Sequence, residues 1–576
     1  MYSYIPPIDD YRFLLNMLDF DAEMAGIGKD VDADLAAAVL EEAGRMCADR
    51  LHPLNREGDE QGSKLVDGTV QTPRGFAEAW RDFARTGWTS VSAAPEYGGQ
   101  GLPFILQLWL DEMVSATNLS FGLFPGLTRG ACEAIMAHAC DELKSTYLPR
   151  MVSGEWTGAM ALTESGAGTD LALLKTKAEP LGDGSYAVTG TKMFISSGDH
   201  DFGGNIVHLV LARLPDAPEG VKGISLFLVP KYLPDAHGDF TRPNGLSVGA
   251  LEKKMGIHAQ PTCVMNYDGA TGWLVGAHHR GLAAMFTMMN AERLMVGIQG
   301  LGIAGGAYGQ AVAYAKERLQ GRSADGARGP VPIIEHADVR RMLLNIRAFV
   351  EAGRALAGWT ALQLGRAHAH PDATERAKAD ALVALLTPVV KAAFTDFGFE
   401  SAVQAQQVFG GHGYIREWGM EQYVRDVRIA QIYEGTNGVQ AMDLVGRKLA
   451  LADGSVVEGL FASIAADLET AGDLVIADRT REALSLLRGV TASLRGAGLD
   501  AAGAAAVDYL RLFALVAMGW MWTRMAAAAT DDSALHQGKR AVANFYALRV
   551  LPQAQGLAAT IAGGEAPIMA MGSDAF

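Results

Sequence analysis

The chain has 576 residues, 49% of them hydrophobic and 20% charged, with 67 glycines, a length that calls for three to four folding units at about 100–200 residues each and a composition that excludes extensive disorder. Its formal net charge of −16 speaks against nonspecific binding to nucleic acid or to an anionic membrane, because a phosphate lattice repels an acidic surface.

The first twenty residues lack a basic segment followed by an apolar run and a small-residue cleavage site, so no secretory signal is read and a cytoplasmic protein is expected. From about Asp32 to Val152 apolar residues recur at three- and four-residue intervals, as in DLAAAVLEEAGRMCADRL, FAEAWRDFARTGW and ILQLWLDEMVSATNLSFG, which predicts helices. The Gly- and Pro-rich stretch Pro95 to Pro103 breaks them.

Between about Gly158 and Gly281 the pattern changes to short β-branched and aromatic runs, SYAVTGTKMFIS, NIVHLVLARL, GISLFLVPKY and TCVMNYDG, predicting a β domain inserted between helical ones. The helical period then returns, and Val339, Met342, Leu343, Ile346 and Val350 share one face of a long helix. A polar break at Leu451 to Ser455 precedes a last helical block running to about Ala562. Within it, Leu512 to Thr523 is apolar but bracketed by Arg511 and Arg524, and is shorter than the roughly 20 residues a spanning helix needs; a buried core helix, with no integral membrane segment, is expected.

Cys47, Cys132, Cys140 and Cys263 form no C-x-x-C pair, so buried small hydrophobes in a reduced compartment are expected. His258, His278, His279, His368 and His370 show no metal-ligand spacing, and no metal is expected.

Three segments carry chemistry. Met160-Ala-Leu-Thr-Glu-Ser-Gly-Ala-Gly-Thr-Asp170 packs glycines and hydroxyls together, a composition suited to a phosphate or a flavin edge. It matches neither a Walker loop nor a G-x-G-x-x-G between strand and helix. Gln407-Val-Phe-Gly-Gly-His-Gly-Tyr414 interrupts two helical stretches. In Gln431-Ile-Tyr-Glu-Gly-Thr-Asn-Gly-Val-Gln440 an acid stands between an aromatic residue and a Gly-Thr pair.

Together with Lys192-Met-Phe-Ile-Ser196, PEYGGQG and YLPRMVSGEW, these segments resemble, in the same order, the hallmarks of the acyl-CoA dehydrogenase family, over roughly residues 32–450. The resemblance implies a mostly α fold with a central β domain: a helical N-terminal domain over 1–157, a middle β-barrel-like domain over 158–282 and a C-terminal four-helix bundle over 283–449. An appended helical domain over 450–576 resembles the longer bacterial members. The activity implied is α,β-dehydrogenation of an acyl-CoA to the trans-2-enoyl-CoA with FAD as cofactor and an electron-transfer flavoprotein as acceptor. The long bacterial type, with Lys254-Met-Gly-Ile-His-Ala-Gln-Pro-Thr262, points to 3-methylmercaptopropionyl-CoA or a related short- or medium-chain substrate. A medium- to long-chain dehydrogenase, an acyl-CoA oxidase and a noncatalytic binding subunit are the alternatives.

By position in the motifs, the resemblance makes Glu434 the base that removes the α-proton. Burial against flavin and acyl chain should raise its pKa. Its backbone N–H and a ribityl hydroxyl of FAD would hold the thioester oxygen. Met160, Leu162, Thr163, Phe194 and Ser196 correspond to flavin contacts; many relatives have Trp where Phe194 stands. Arg318 corresponds to an arginine on the FAD pyrophosphate of a neighbouring subunit, and Gln407, Gly410 and Gly411 to the turn that receives the adenosine half. Thr436 matches a further FAD contact, whereas Gly438 replaces a Gln that many relatives place near the adenine.

Ser165, Gly168 and Thr169 correspond to the wall along the pantetheine, and Arg293 to an arginine near the nucleotide end of CoA. Gly435 belongs with the substrate contacts. Tyr433 either lines the acyl pocket or packs in the core. A site completed by a second subunit implies a homo-oligomer. A dimer is expected, the appended block covering the surface that shorter relatives use to form tetramers.

Overall fold

The computed structural model describes residues 2–576. By internal packing the chain forms two compact units. One takes in the N-terminal stretch to Arg45, Pro103–Ala116 and Arg293–Phe576; the other comprises Met46–Leu102 and Thr117–Glu292.

The chain opens with α1 (Ile8–Met17), α2 (Phe20–Gly26) and α3 (Ala33–Met46), which runs through a π-helical turn at Cys47–Leu51 into α4 (His52–Gln61). A hairpin, β1 (Lys64–Val66) and β2 (Thr69–Gln71), and α5 (Phe76–Arg85) follow. Next come α6 (Phe104–His138) and α7 (Asp141–Val152). Helical geometry fails inside α6 at Asn118 (φ −162°, ψ 87°). There the Asn118 side-chain oxygen accepts the Phe121 N–H at 3.0 Å, so the residue caps the second half of the helix.

The second unit holds the sheet. Its strands are β3 (Thr157–Ala161), β4 (Lys177–Pro180), β5 (Tyr186–Ser196), β6 (Ile206–Arg213), β7 (Ile224–Pro230), then a small hairpin of β8 (Tyr232–Pro234) and β9 (Phe240–Pro243), and β10 (Leu246–Leu251) and β11 (Thr262–Val275). The seven-stranded order is β10-β11-β5-β4-β6-β3, with β7 joining β11 to β6. β6 and β7 are buried along almost their whole length, which is why both read as continuous apolar runs instead of alternating ones. β3 runs parallel to β6, Thr157 opposite Ile206 through Ala161 opposite Val210. This register delivers the chain directly into the Met160–Asp170 loop.

After α8 (Gly281–Glu317) the rest of the chain is helical: α9 (Ala337–Ala369), α10 (Ala373–Val408), α11 (Met420–Arg428), α12 (Asn437–Gly446), α13 (Ser455–Thr470), α14 (Val475–Leu494), α15 (Leu499–Ala528), α16 (Ala534–Phe545) and α17 (Gln553–Ala562). The polar break before α13 is built from left-handed Ala452, Asp453 and Gly454. α9 packs along α10, and α15 packs on α9, α10 and α12. The appended helices therefore brace the helix that follows Glu434.

A buried charge cluster ties the first unit together. The Arg354 guanidinium meets Glu112 at 2.9 Å and also Asp10. Lys539, with no exposed surface, pairs with Asp10 and, at 2.8 Å, with Glu351, which in turn takes Arg347 at 2.5 Å. Burial pushes the Asp10 carboxyl up, but the cations of Lys539 and Arg354 outweigh it and hold that carboxyl below its usual range. The cluster links α1, α6, α9 and α16.

Three expectations are corrected. Leu512 to Thr523 is buried, as expected, but the helix is longer than read: the segment lies within the 30-residue α15, which is long and apolar enough to cross a membrane, as are α10 and the stretch from α12 through α13; 67%, 72% and 33% of their most apolar windows, respectively, are buried in the fold. Cys47 and Cys263 are buried, but Cys132 is partly covered and Cys140 exposed. The β1–β2 hairpin lies inside the stretch read as helical.

Candidate active site

The segment Gln431–Gln440 runs from a short 3-10 turn (Ile429–Gln431) into α12. Thr436 caps α12, its hydroxyl accepting the Val439 N–H at 3.4 Å. Ahead of the cap, Glu434 and Gly435 are both left-handed, with φ of +55° and +84°. That conformation is costly for a residue with a Cβ, so surrounding bonds must hold Glu434 there. The Glu434 carbonyl accepts the Gln440 side-chain N–H at 3.2 Å and Arg293 Nε at 3.4 Å. A Cβ at Gly435 would lie 2.6 Å from Gln440 Nε2, so glycine serves there both for its φ and for its lack of bulk.

Asn437 anchors the same loop to α10. Its amide donates to Asp396 at 2.7 Å, to Thr395 Oγ1 at 2.9 Å and to the Ala392 carbonyl at 3.2 Å; its side-chain oxygen accepts Lys391 Nζ at 2.9 Å. Gln431 donates to the same Asp396 at 2.6 Å. Both ends of the turn are thus fastened to one helix.

Glu434 is half-buried, with a solvent-reachable face and a crowded protein side. Burial pushes its carboxyl up to about 7, against the opposing pull of Arg293 and Lys391. Lys391 has no exposed surface, and burial pushes its ammonium down to about 8 although Glu434 and Asp396 favour the charge. An acid whose pKa is close to neutrality exchanges a proton readily in either direction.

In the second unit, the loop after β3 is held from within. Lys192, fully buried in β5, donates at 2.9 Å both to the Leu162 carbonyl and to Glu164. Glu164 also accepts from Lys175 N at 2.7 Å, Thr176 N at 3.0 Å and Thr176 Oγ1 at 2.6 Å. Met193 N–H reaches the Thr163 carbonyl at 2.8 Å. Met160, Leu162, Thr163, Phe194 and Ser196 therefore lie on neighbouring strand and loop. Phe194 is left-handed (φ +59°) and 59% exposed, an aromatic face turned out of the sheet. In the loop after β3, Ser165, Gly168 and Thr169 are exposed.

A third group belongs to the first unit. Arg318 follows the end of α8 and is exposed, as are Gln407, Gly410 and Gly411. Tyr314, one turn before Arg318, bonds His412 at 2.9 Å and stacks on Phe409, so the Arg318 end of α8 and the Gln407–Tyr414 turn are joined. Gly410 (φ +56°) and Gly411 leave open space where a Cβ would stand.

Arg293, expected near the nucleotide end of CoA, donates its Nε to the Glu434 carbonyl at 3.4 Å. Tyr433 is half-buried, its hydroxyl donating to Gln299 in α8. Lys391, Asn437 and Gln440 were not singled out from the sequence. Asn437 and Gln440 lie inside the quoted motif, which was the one hint to them; Lys391 stands more than forty residues upstream of Glu434.

The chain is mostly helical with one central sheet; its first unit holds a left-handed glutamate with a carboxyl near neutrality, and its second unit an exposed Phe194 in β5 beside a Gly-rich loop. The chain matches the acyl-CoA dehydrogenase N-terminal domain over residues 33–155, the middle domain over 159–270 and the C-terminal domain over 279–450, and a domain described as acetyl-CoA dehydrogenase C-terminal like over 460–572. It is 42% identical to 3-methylmercaptopropionyl-CoA dehydrogenase of Ruegeria pomeroyi over 95% of this chain and 96% of that one. It is 34% identical to a butyryl-CoA dehydrogenase of Syntrophomonas wolfei over 100% and 99%. The crystal structure of ACDH-11 of Caenorhabditis elegans in complex with C11-CoA superposes with a TM-score of 0.79 at 20% identity, covering 95% of this chain and 92% of that one. The chain belongs to the acyl-CoA dehydrogenase family and is an oxidoreductase acting on CH–CH groups.

Acyl-CoA dehydrogenases bind FAD. The outward face of Phe194, beside the Thr163 end of the loop, fits a planar flavin, and in the other unit the open Gly410–Gly411 turn beside Arg318 fits a charged nucleotide end.

Proposed function

We propose that Glu434 is the base that removes the α-proton of an acyl-CoA, and that the substrate is 3-methylmercaptopropionyl-CoA or a related short- or medium-chain thioester. The observation that carries the role of Glu434 is its combination of a left-handed backbone, held by Gln440 and Arg293, with a carboxyl pushed up to about 7. The substrate class rests on the 42% identity to the Ruegeria enzyme over nearly the whole chain.

Bound FAD supplies the acceptor for a hydride from the β-carbon. The Glu434 carboxylate takes the α-proton, the α-C–H bond pair becomes the π bond of a trans double bond as the β-C–H pair departs with the hydride, and the proton stays on Glu434 until solvent removes it. Thr163, Phe194 and Ser196 would hold the flavin ring, with Met160 and Leu162 supplying backbone contacts; Arg318, Gln407, Gly410 and Gly411 of a second copy would hold the rest of the dinucleotide, and Thr436 would make a further FAD contact. Ser165, Gly168 and Thr169 would flank the pantetheine. The two electrons pass on to an electron-transfer flavoprotein, in keeping with the family.

The enzyme works in the cytoplasm as a homodimer. The exposure of Arg318, Gln407, Gly410 and Tyr414 is what supports a second copy there, Tyr414 being 82% exposed. The test is flavin bleaching and turnover against 3-methylmercaptopropionyl-CoA, butyryl-CoA, octanoyl-CoA and palmitoyl-CoA, with peroxide followed when no acceptor is added. Highest kcat/KM on the first two supports the reading; preference for palmitoyl-CoA contradicts it, and rapid peroxide formation makes the enzyme an oxidase.

A further inference from the structure

We infer that Lys391 is a positioning residue for the base: through its hydrogen bond to Asn437 and its buried charge it holds the Glu434 loop against α10 and favours the ionised carboxylate. The inference rests on Glu434 being the base.

Three observations meet here. Lys391 lies in the middle of a 36-residue helix, entirely covered. A buried ammonium is expensive unless its donors are used, and its partner is not an acid but the side-chain oxygen of Asn437 at 2.9 Å. Asn437 stands three residues after Glu434 and spends its two amide protons on Asp396, Thr395 and the Ala392 carbonyl. With its oxygen facing donors and its nitrogen facing acceptors, its orientation is locked. A lysine whose purpose was only to neutralise a buried acid would point to Asp396, which instead accepts Gln431 and Asn437.

The charges around Glu434 are set by several elements. α8 contributes Arg293, α10 contributes Lys391 and Asp396, and Asp443 in α12 and Arg447 just after it bear on Arg293. Arg293 reaches the backbone carbonyl, and Arg447 donates its Nε to Asp443 at 2.6 Å, so that pair is close to neutral. Of the two cations that pull on the carboxyl, Arg293 acts the more strongly and Lys391 is the one on α10. Removing a cation near a carboxyl raises its pKa, whereas replacing it by another cation does not.

The test compares Lys391→Met, Lys391→Arg, Asn437→Ala and Glu434→Gln in the FAD-loaded enzyme. Lys391→Met is expected to lower kcat about tenfold with little change in KM and to move the rising limb of the kcat/KM–pH profile up by about one unit. Lys391→Arg is expected to return the limb to its wild-type position with part of kcat. Asn437→Ala keeps the charge and is expected to lower kcat with the limb in place. If Lys391→Met does not fold, Asn437→Ala and Lys391→Arg decide: full kcat in Asn437→Ala, or a limb displaced in Lys391→Arg as far as one unit, overturns the inference. A Lys391→Met enzyme that is only less heat-stable, with limb and kcat unchanged, also overturns it. Glu434→Gln separates the two readings: if it is active, the base assignment fails; if it is dead while Lys391→Met is normal, only the role of Lys391 fails.

Discussion

Gln440 donates its side-chain N–H to the carbonyl oxygen of Glu434 at 3.2 Å, closing the turn between them from the first turn of α12. The same amide nitrogen would lie 2.6 Å from a Cβ at Gly435. One side chain therefore both fixes the glutamate's backbone and forbids bulk beside it.

Gly435→Ala is accordingly expected to lower kcat by about tenfold or more, because the new methyl displaces Gln440 and the φ of +84° is strained for alanine. Steady-state kinetics on protein checked for full FAD content measures this. A near-normal kcat would mean that the turn tolerates movement of Gln440.

The pH profile follows from the Glu434 carboxyl at about 7. The base works ionised, so kcat/KM is expected to rise with pH to a half-maximum near 7 instead of near 4–5. Stability runs the other way. With a folded pKa above the unfolded one, the native state binds the extra proton between about 4.5 and 7, so this group's contribution falls as pH rises through that window. Kinetics and thermal unfolding across pH 4–8 check both signs.

Lys192 donates to the Leu162 carbonyl and to Glu164 from a fully buried position. Lys192→Met would leave that carbonyl without its side-chain donor and loosen the loop, and FAD affinity is expected to fall by about tenfold. Retained visible flavin absorbance after desalting, compared with wild type, is the readout.

The cluster of Asp10, Arg354, Glu112, Lys539 and Glu351 makes a separate prediction about stability. Lys539→Met leaves two acids without a shared cation and is expected to cost about 3–5 kcal/mol. The loss should appear in chemical unfolding, with kcat per folded, FAD-loaded enzyme close to wild type.

What could be read from the residues divides along physical lines. β5, β6, β7 and β11 announce themselves by β-branched and aromatic runs. β3 (TGAMA) and β4 (KAEP) do not, since their small or charged residues become strand only by pairing with β6 and β5. The β1–β2 hairpin hides in a polar segment for the same reason. Glu434 was legible because its motif is contiguous. Its electrostatic setting was not, because Arg293, Lys391 and Asn437 come from α8, α10 and α12 and only the packing of those helices brings them together. The length of α15 was obscured by Arg511, which pairs with Glu400 at 2.6 Å inside the first unit instead of ending a helix.

The most direct measurement is rapid mixing of FAD-loaded Glu434→Gln with 3-methylmercaptopropionyl-CoA, following flavin absorbance beside wild type. The expected result is a binding-induced spectral shift without bleaching, the rate of reduction falling by about a thousandfold or more. Bleaching at close to the wild-type rate would contradict the assignment of Glu434 as the base.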